Sequence, residues 1–213
     1  RINVKIKAGQ ETELNGAGPD IPESAMQALE EKLDRLQKGD ILILAGSIPA
    51  SLAQTTYERI LARLEGRDIR AVVDATRDLL VNVLRYKPFL IKPNNHELSE
   101  IAGVKLTNDN EIVTAARMMQ AKGARNVLVS MAGDGALLLD EQGGVHRIGC
   151  PKGKVVNSVG AGDSMVAGFV AGYQQSGGDY AAALKLGTAC GSATAFSLGL
   201  ATKADIDKLL KTM

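Results

Sequence analysis

Along this chain a two-residue alternation of apolar and polar positions gives way to a helical spacing, and the two periods then take turns. The opening Ile2, Val4 and Ile6 alternate with Asn3, Lys5 and Lys7, which predicts a hairpin of residues 2–8 with 12–15. Gly16-Ala17-Gly18-Pro19 then leads to a predicted helix over 22–36. Short apolar runs at 41–45, 71–74, 90–92 and 126–130 read as buried strands, and the segments between them, 51–64, 78–85, 97–102 and 109–121, place apolar residues at helical spacing. Strand and helix in alternation predict a parallel sheet covered on both faces, an α/β fold. After Ser130 the pattern changes to two adjacent strands, 136–140 and 145–148, joined by Gly143-Gly144. Three helices, 161–175, 180–198 and 203–211, complete the chain.

In such sheets ligands gather beyond the C-terminal ends of the parallel strands, and polar, small-residue loops fall there. Gly46-Ser47 follows the first run, Asp74-Ala75-Thr76-Arg77 the second, Lys92-Pro93-Asn94 the third, and Ser130-Met131-Ala132-Gly133-Asp134-Gly135 the fourth. The richest loop is Val159-Gly160-Ala161-Gly162-Asp163-Ser164, a glycine turn that enters a long apolar helix with one carboxylate at the junction. Glycines let the backbone approach a ligand, and the helix start carries about half a positive charge, a combination suited to a migrating phosphoryl group. A carboxylate beside a phosphate needs its own task, and accepting the proton of an attacking hydroxyl supplies one. The alternative is a plain turn whose Asp favours the helix dipole. A P-loop is excluded because no Lys stands where its pattern requires one, and Met165 occupies the third small position of a dinucleotide fingerprint.

The other loops each admit two readings. Asn94 with Glu97 is the spacing of a capping box, and it also places a carboxylate where Mg²⁺ on nucleotide phosphates takes one. Residues 130–135 are either a hairpin entry or a phosphate-holding loop. Ser47 is a turn or cap residue, or a ligand of a substrate phosphate. Arg1 is a solvated terminal residue or a bidentate phosphate partner. The small residues Gly187 to Ser192 either pack helices closely or admit an adenine. His96 and His146 stand in no partner pattern.

Composition removes several function classes. A formal charge of +1 gives no reason to expect nucleic acid or membrane partners, and aromatic residues at 3% with no Trp leave few stacking platforms. At 45% hydrophobic, 213 residues suffice for one globular domain with a full core. Cys150 and Cys190 have neither metal nor redox spacing and read as reduced thiols of a cytoplasmic protein. No apolar run has membrane-spanning length and no signal peptide is visible. Because the chain opens inside a strand pattern without Met, it reads as the C-terminal part of a larger protein.

Taken together, these loops resemble the carbohydrate kinases of the ribokinase (PfkB) family across essentially the whole chain. Residues 159–164 resemble the family's C-terminal signature, and Asn94-x-x-Glu97 its Mg²⁺-associated motif, in the right order. The resemblance implies a ribokinase-like three-layer αβα fold with a mostly parallel sheet, the hairpin at residues 1–15 being a remnant of a β lid. It further implies ATP and Mg²⁺ as cofactors and a sugar phosphate as acceptor. The members most alike act on O6 of fructose 1-phosphate, with tagatose 6-phosphate the rival acceptor and a non-catalytic nucleotide-binding module the rival class. By the same resemblance Asp163 is the base and Gly160, Ala161 and Gly162 form the anion hole. Lys92, Asn94, Ser130, Ala132, Gly133, Asp134, Gly135, Gly187, Cys190 and Gly191 line the nucleotide side. Glu97 acts on the metal, and Arg1 and Ser47 hold the acceptor's phosphate. Ala132 departs from the family, where Gly is common. The resemblance also implies a homodimer of the complete protein through its lid.

Overall fold

The computed structural model describes residues 3–8, 10–16 and 18–213. Strands β1 (Asn3–Ala8) and β2 (Gln10–Asn15) pair antiparallel as a separate two-stranded sheet, Val4 opposite Leu14 and Ile6 opposite Thr12. The second strand begins two residues earlier than its alternation indicates. Helix α1 (Glu23–Leu33) follows, then β3 (Ile41–Ala45), α2 (Thr56–Leu64), β4 (Arg70–Asp74) and α3 (Arg77–Val83), which tightens into a 3-10 turn at Leu84–Tyr86. Strand β5 (Leu90–Ile91), α4 (Asn95–Ala102), α5 (Asp109–Ala121) and β6 (Asn126–Ser130) complete the alternating part. A 3-10 turn at Ala132–Asp134 leads to β7 (Ala136–Leu139) and β8 (Val145–Ile148), and α6 (Ala161–Gln175), α7 (Tyr180–Ala195) and α8 (Lys203–Leu210) end the chain.

The main sheet runs in chain order from β3 to β8. Its first four strands are parallel, and β7 and β8 are antiparallel additions. Strand alternation divides the core in two. Leu44, Val73, Ile91, Val127, Val129, Leu137 and Leu139 point to one face, under α2 to α5. Val72, Leu90, Leu128, Ala136 and Leu138 point to the other, under α6 and α7. Both faces being covered explains why the central strands read as unbroken apolar runs. Burying a side chain such as Phe169 or Leu90 stabilises the fold by about 1.5–3 kcal/mol, and both are fully buried.

Helix α2 starts at Thr56, not at 51, because residues 49–55 close as turns: the Leu52 N–H donates to the Pro49 carbonyl and the Thr56 N–H to the Ala53 carbonyl. Helices α6 and α7 pack with glycines at their seam. A Cβ on Gly187 would stand 2.9 Å from the Met165 carbonyl, and one on Gly191 3.0 Å from the Ala161 carbonyl. Close helix approach therefore accounts for these two glycines, and Cys190 belongs to the same seam, its sulfur against Gly168. No described helix is long and apolar enough to cross a membrane.

Candidate active site

The backbone draws the predicted loops into one rim. The Gly46 N–H donates to the Asp74 carbonyl at 3.0 Å, the Lys92 N–H to the Val73 carbonyl at 3.3 Å, and the Ser130 N–H to the Pro93 carbonyl at 3.1 Å. A parallel bridge joins Asn94 to Ser130. The ends of β3, β4, β5 and β6 are thus stitched side by side. The Tyr57 hydroxyl, from α2, donates to the Ala45 and Gly46 carbonyls at 2.9 and 3.1 Å, fixing the turn that presents exposed Ser47.

Helix α6 enters this rim from the other side of the sheet. Its N-cap is Gly160, in the left-handed region at φ 80°, where a β-carbon is strained, and it has no side chain with which to cap the helix. Ala161, Gly162 and Asp163 form the first turn; the Ala161 N–H already donates to the Ser158 carbonyl at 3.2 Å, which leaves Gly162 and Asp163 as the N–H groups for which the helix itself offers no backbone acceptor. Asp163 is exposed there. The turn is braced from behind: the Thr194 hydroxyl donates to Ser164 Oγ at 2.9 Å, and the Ala201 N–H donates to Thr194 Oγ1 at 3.3 Å. The approach to Gly160 is held by Asn157, whose Oδ1 accepts the Val159 N–H at 3.2 Å and whose amide donates to the Leu198 carbonyl at 3.0 Å.

Between the strand ends and α6 lies a buried ion pair. Lys92 Nζ is 3.2 Å from Asp74 Oδ1, with side-chain exposures of 7% and 18%. A Cβ on Gly162 would stand 3.3 Å from Lys92 Nζ, which places the ammonium against the helix start. Burial pushes the Asp74 carboxyl above its ordinary range; Lys92 pulls it back by charge and hydrogen bond, and Asp163 and Glu97 push it up again. These four charged groups therefore share one electrostatic neighbourhood.

Asn94 and Glu97 form a complete capping box on α4. Asn94 Oδ1 accepts the Glu97 N–H and Glu97 Oε2 accepts the Asn94 N–H, both at 2.8 Å. The structural reading of this motif is thus satisfied, and the cap uses one of the two carboxylate oxygens. Among the described residues no three His, Cys, Asp or Glu side chains converge as a metal cage. A Mg²⁺ that arrives on nucleotide phosphates needs only one or two carboxylates, and Glu97, whose Oε1 the cap does not use, fits that requirement.

The 130–135 loop partly corrects its expected role. Three backbone bonds close it on itself: Asp134 N–H to the Met131 carbonyl, Gly135 N–H to the Ala132 carbonyl, and Met131 N–H to the Gly135 carbonyl, at 2.8–3.1 Å. The N–H groups of Asp134 and Gly135 are therefore already used. Gly135 is required by packing, since a Cβ there would collide with the Ile148 carbonyl. Gly133 faces open space, and Ala132 adopts φ 48°.

Ser130, Lys92, Asn94, Glu97, Gly160, Ala161, Gly162 and Asp163 are brought to one rim with Ser47 at its end. Gly187 is buried in the helix seam, Gly191 lies in it behind the first turn of α6, and Cys190 is half-buried beside α8. Burial raises the Cys190 thiol above its ordinary range. Arg1 lies outside the described residues. Sequence reading assigned no role to Asp74, Tyr57 or Thr194. Asp74 had a signal, a carboxylate ending the apolar run Ala71-Val72-Val73; the other two had none.

Comparison with known proteins agrees with this geometry. A 1-phosphofructokinase of Bacillus subtilis is 48% identical over 210 residues, an alignment covering 99% of this chain and 69% of that protein. A D-tagatose-1-phosphate kinase of Bacillus licheniformis is 36% identical over 213 residues, covering all of this chain and 68% of the other. The solved structure of Escherichia coli phosphofructokinase-2 in complex with substrates and products superposes with a TM-score of 0.87 at 26% identity, over 96% of this chain and 67% of that one. The model of the pfkB family of carbohydrate kinases matches residues 2–207, and with the rim and the open start of α6 in place the chain belongs to that family.

Proposed function

We propose that this chain carries the phosphoryl-transfer centre of an enzyme that moves the γ-phosphoryl group of ATP to O6 of fructose 1-phosphate, giving fructose 1,6-bisphosphate and ADP. One observation carries the reading: α6 opens without a cap, presents Asp163 in its first turn, and has the Lys92 ammonium lying against Gly162. The 48% identity to a 1-phosphofructokinase supports the choice of acceptor.

The reaction forms an O6–P bond and breaks the bond from phosphorus to the β,γ-bridging oxygen. Asp163 takes the proton of the O6 hydroxyl as it attacks in line. The turn Gly160, Ala161 and Gly162, chiefly through the Gly162 N–H since that of Ala161 is bonded to Ser158, and the start of α6 stabilise charge on the transferring group, as phosphoryl transfer rests mainly on positioning and electrostatics. Lys92, Asn94, Ser130 and Gly133 line the nucleotide's phosphate side, and Ser47 and Arg1 hold the acceptor's existing phosphate. When bound, Mg²⁺ neutralises phosphate charge, and Glu97 Oε1 is the oxygen left to meet it or one of its waters.

A second reading, tagatose 1-phosphate as acceptor, is favoured by the 36% identity to a D-tagatose-1-phosphate kinase. A coupled assay of ADP release by the full-length protein, with fructose 1-phosphate, tagatose 1-phosphate and tagatose 6-phosphate, separates them. The expected kcat/KM is at least tenfold higher for fructose 1-phosphate, about 1.4 kcal/mol in transition-state binding. A preference for either tagatose ester overturns the assignment, and ATP binding with no turnover of any acceptor replaces the enzyme with a nucleotide-binding module.

A further inference from the structure

We propose that Asp74 is a positioning residue for phosphoryl transfer: through its buried ion pair it holds the Lys92 ammonium against the first turn of α6. The proposal rests on the kinase reading above and adds a residue to it.

The pair is set by the sheet. Asp74 ends β4, and Lys92 follows β5 on the adjacent parallel strand, its N–H bonded to the Val73 carbonyl at 3.3 Å. A lysine is a compact charge on a flexible four-carbon stem, and a counter-ion 3.2 Å away turns it into a fixed one. It is fixed at one place in particular, 3.3 Å from where a Cβ on Gly162 would stand in the first turn of α6. The ammonium and the N-terminal end of α6 are both positive. Held side by side they repel, unless a carboxylate offsets them or an anion lies between. Asp74 supplies the first condition before a phosphate arrives, and the arrangement it maintains is the one that a phosphate completes.

Burial works against the ionised carboxylate. Burial raises Asp74 above its ordinary range, and the pull of Lys92 does not cancel that. A carboxyl raised in the folded state binds its proton more tightly there than in the unfolded chain. Its ionisation, as pH rises from the unfolded value through the raised one, therefore lowers stability. Buried pairs are often replaceable without loss for the same reason. The charge is kept where folding disfavours it, beside Asp163 and Glu97 and against the anion hole.

The test uses Asp74→Asn and Asp74→Glu. In the full-length protein Asp74→Asn is expected to lower kcat on the order of 10- to 100-fold, the scale of a misplaced catalytic group. KM for ATP stays unchanged or falls, because a negative charge near the phosphates is removed. Asp74→Glu recovers part of kcat. Independently of turnover, acetylation of Lys92 by an N-hydroxysuccinimide ester, followed by mass spectrometry, is expected to quicken several-fold in Asp74→Asn, as the amine is no longer held by its carboxylate partner. Lys92 labelled at the unsubstituted rate overturns the proposal. So does a lowered melting temperature with kcat per folded molecule intact, which makes the pair structural, or a kcat loss fully recovered by tenfold more Mg²⁺, which makes Asp74 a metal ligand. If the unsubstituted protein turns over no sugar phosphate, the kinase reading fails while the labelling still decides the pairing.

Discussion

Helices α4 and α6 begin at the same rim, near the same buried ion pair, and treat their first turns in opposite ways. The first turn of α4 is closed within the chain, Asn94 taking the Glu97 N–H and Glu97 taking the Asn94 N–H, each at 2.8 Å. The first turn of α6 follows a glycine that has no side chain to offer. A side-chain cap typically stabilises a helix by about 1 kcal/mol. Forgoing it at α6 leaves the Gly162 and Asp163 N–H groups and the dipole available to an outside anion, while α4 uses its own to fix the strand-to-helix turn that carries Lys92 and Asn94. A rigid, self-satisfied turn thus stands opposite an open one, and the ion pair lies between them.

The sharpest way to break this comparison is Asp163→Asn in the full-length protein. Turnover is expected to fall on the order of 10²- to 10⁴-fold, the usual contribution of a general base, while calorimetry finds ATP binding retained. Turnover near the unsubstituted level would remove the base from the open helix start.

Next in size is Gly160→Ala. Its left-handed backbone costs an L-residue roughly 1–2 kcal/mol, and the new Cβ would stand 3.0 Å from Leu200 Cδ2. Thermal melting is expected to drop by about 2–4 °C per kcal/mol for a chain of this size, together with a loss of turnover that exceeds the loss of folded protein. Unchanged turnover would mean that the geometry of this turn is irrelevant to catalysis.

At α4 two substitutions separate cap from metal. Asn94→Ala should lower stability by about 1 kcal/mol in chemical denaturation. Glu97→Gln keeps a capping acceptor, so stability should hold while the Mg²⁺ concentration for half-maximal activity rises. No change in that concentration would leave Glu97 a capping residue alone.

The smallest expected effect is Ala132→Gly. Ala132 sits at φ 48°, so the glycine should stabilise the fold by about 0.5–1 kcal/mol after its greater freedom in the unfolded chain is subtracted. Urea denaturation measures it, and a destabilised variant would show that the Ala methyl makes a packing contribution larger than the strain.

Much of this was legible before folding. The run over α6 has the bounds the pattern gives, Ala161 to Gln175, and the four parallel strands fall within a residue of their apolar runs; β4 to β6 are apolar because both their faces are covered, whereas the edge strand β3 leaves Ile43 exposed. Helix α2 was less legible, since residues 49–55 have helical composition but spend their hydrogen bonds on turns. At the candidate site, Gly160, Gly162, Asp163, Asn94, Glu97 and Lys92 could be singled out from local order, and the fold brings them to one rim. Gly187 and Gly191 were not, because a glycine that admits a ligand and one that admits a neighbouring helix look alike in sequence.

What the sequence determined by itself was made between near neighbours: the strand and helix periods, the four-residue capping box, and the glycine turn that leaves α6 without a side-chain cap. What only the tertiary structure decided was which of these meet. Asp74 and Lys92 are eighteen positions apart and become an ion pair because β4 and β5 lie side by side in register. Lys92 reaches Gly162 because α6 covers the far face of the sheet and starts at its rim. Local backbone preferences are written residue by residue, whereas the meeting of distant charges depends on burial and strand order, which no short stretch of sequence encodes.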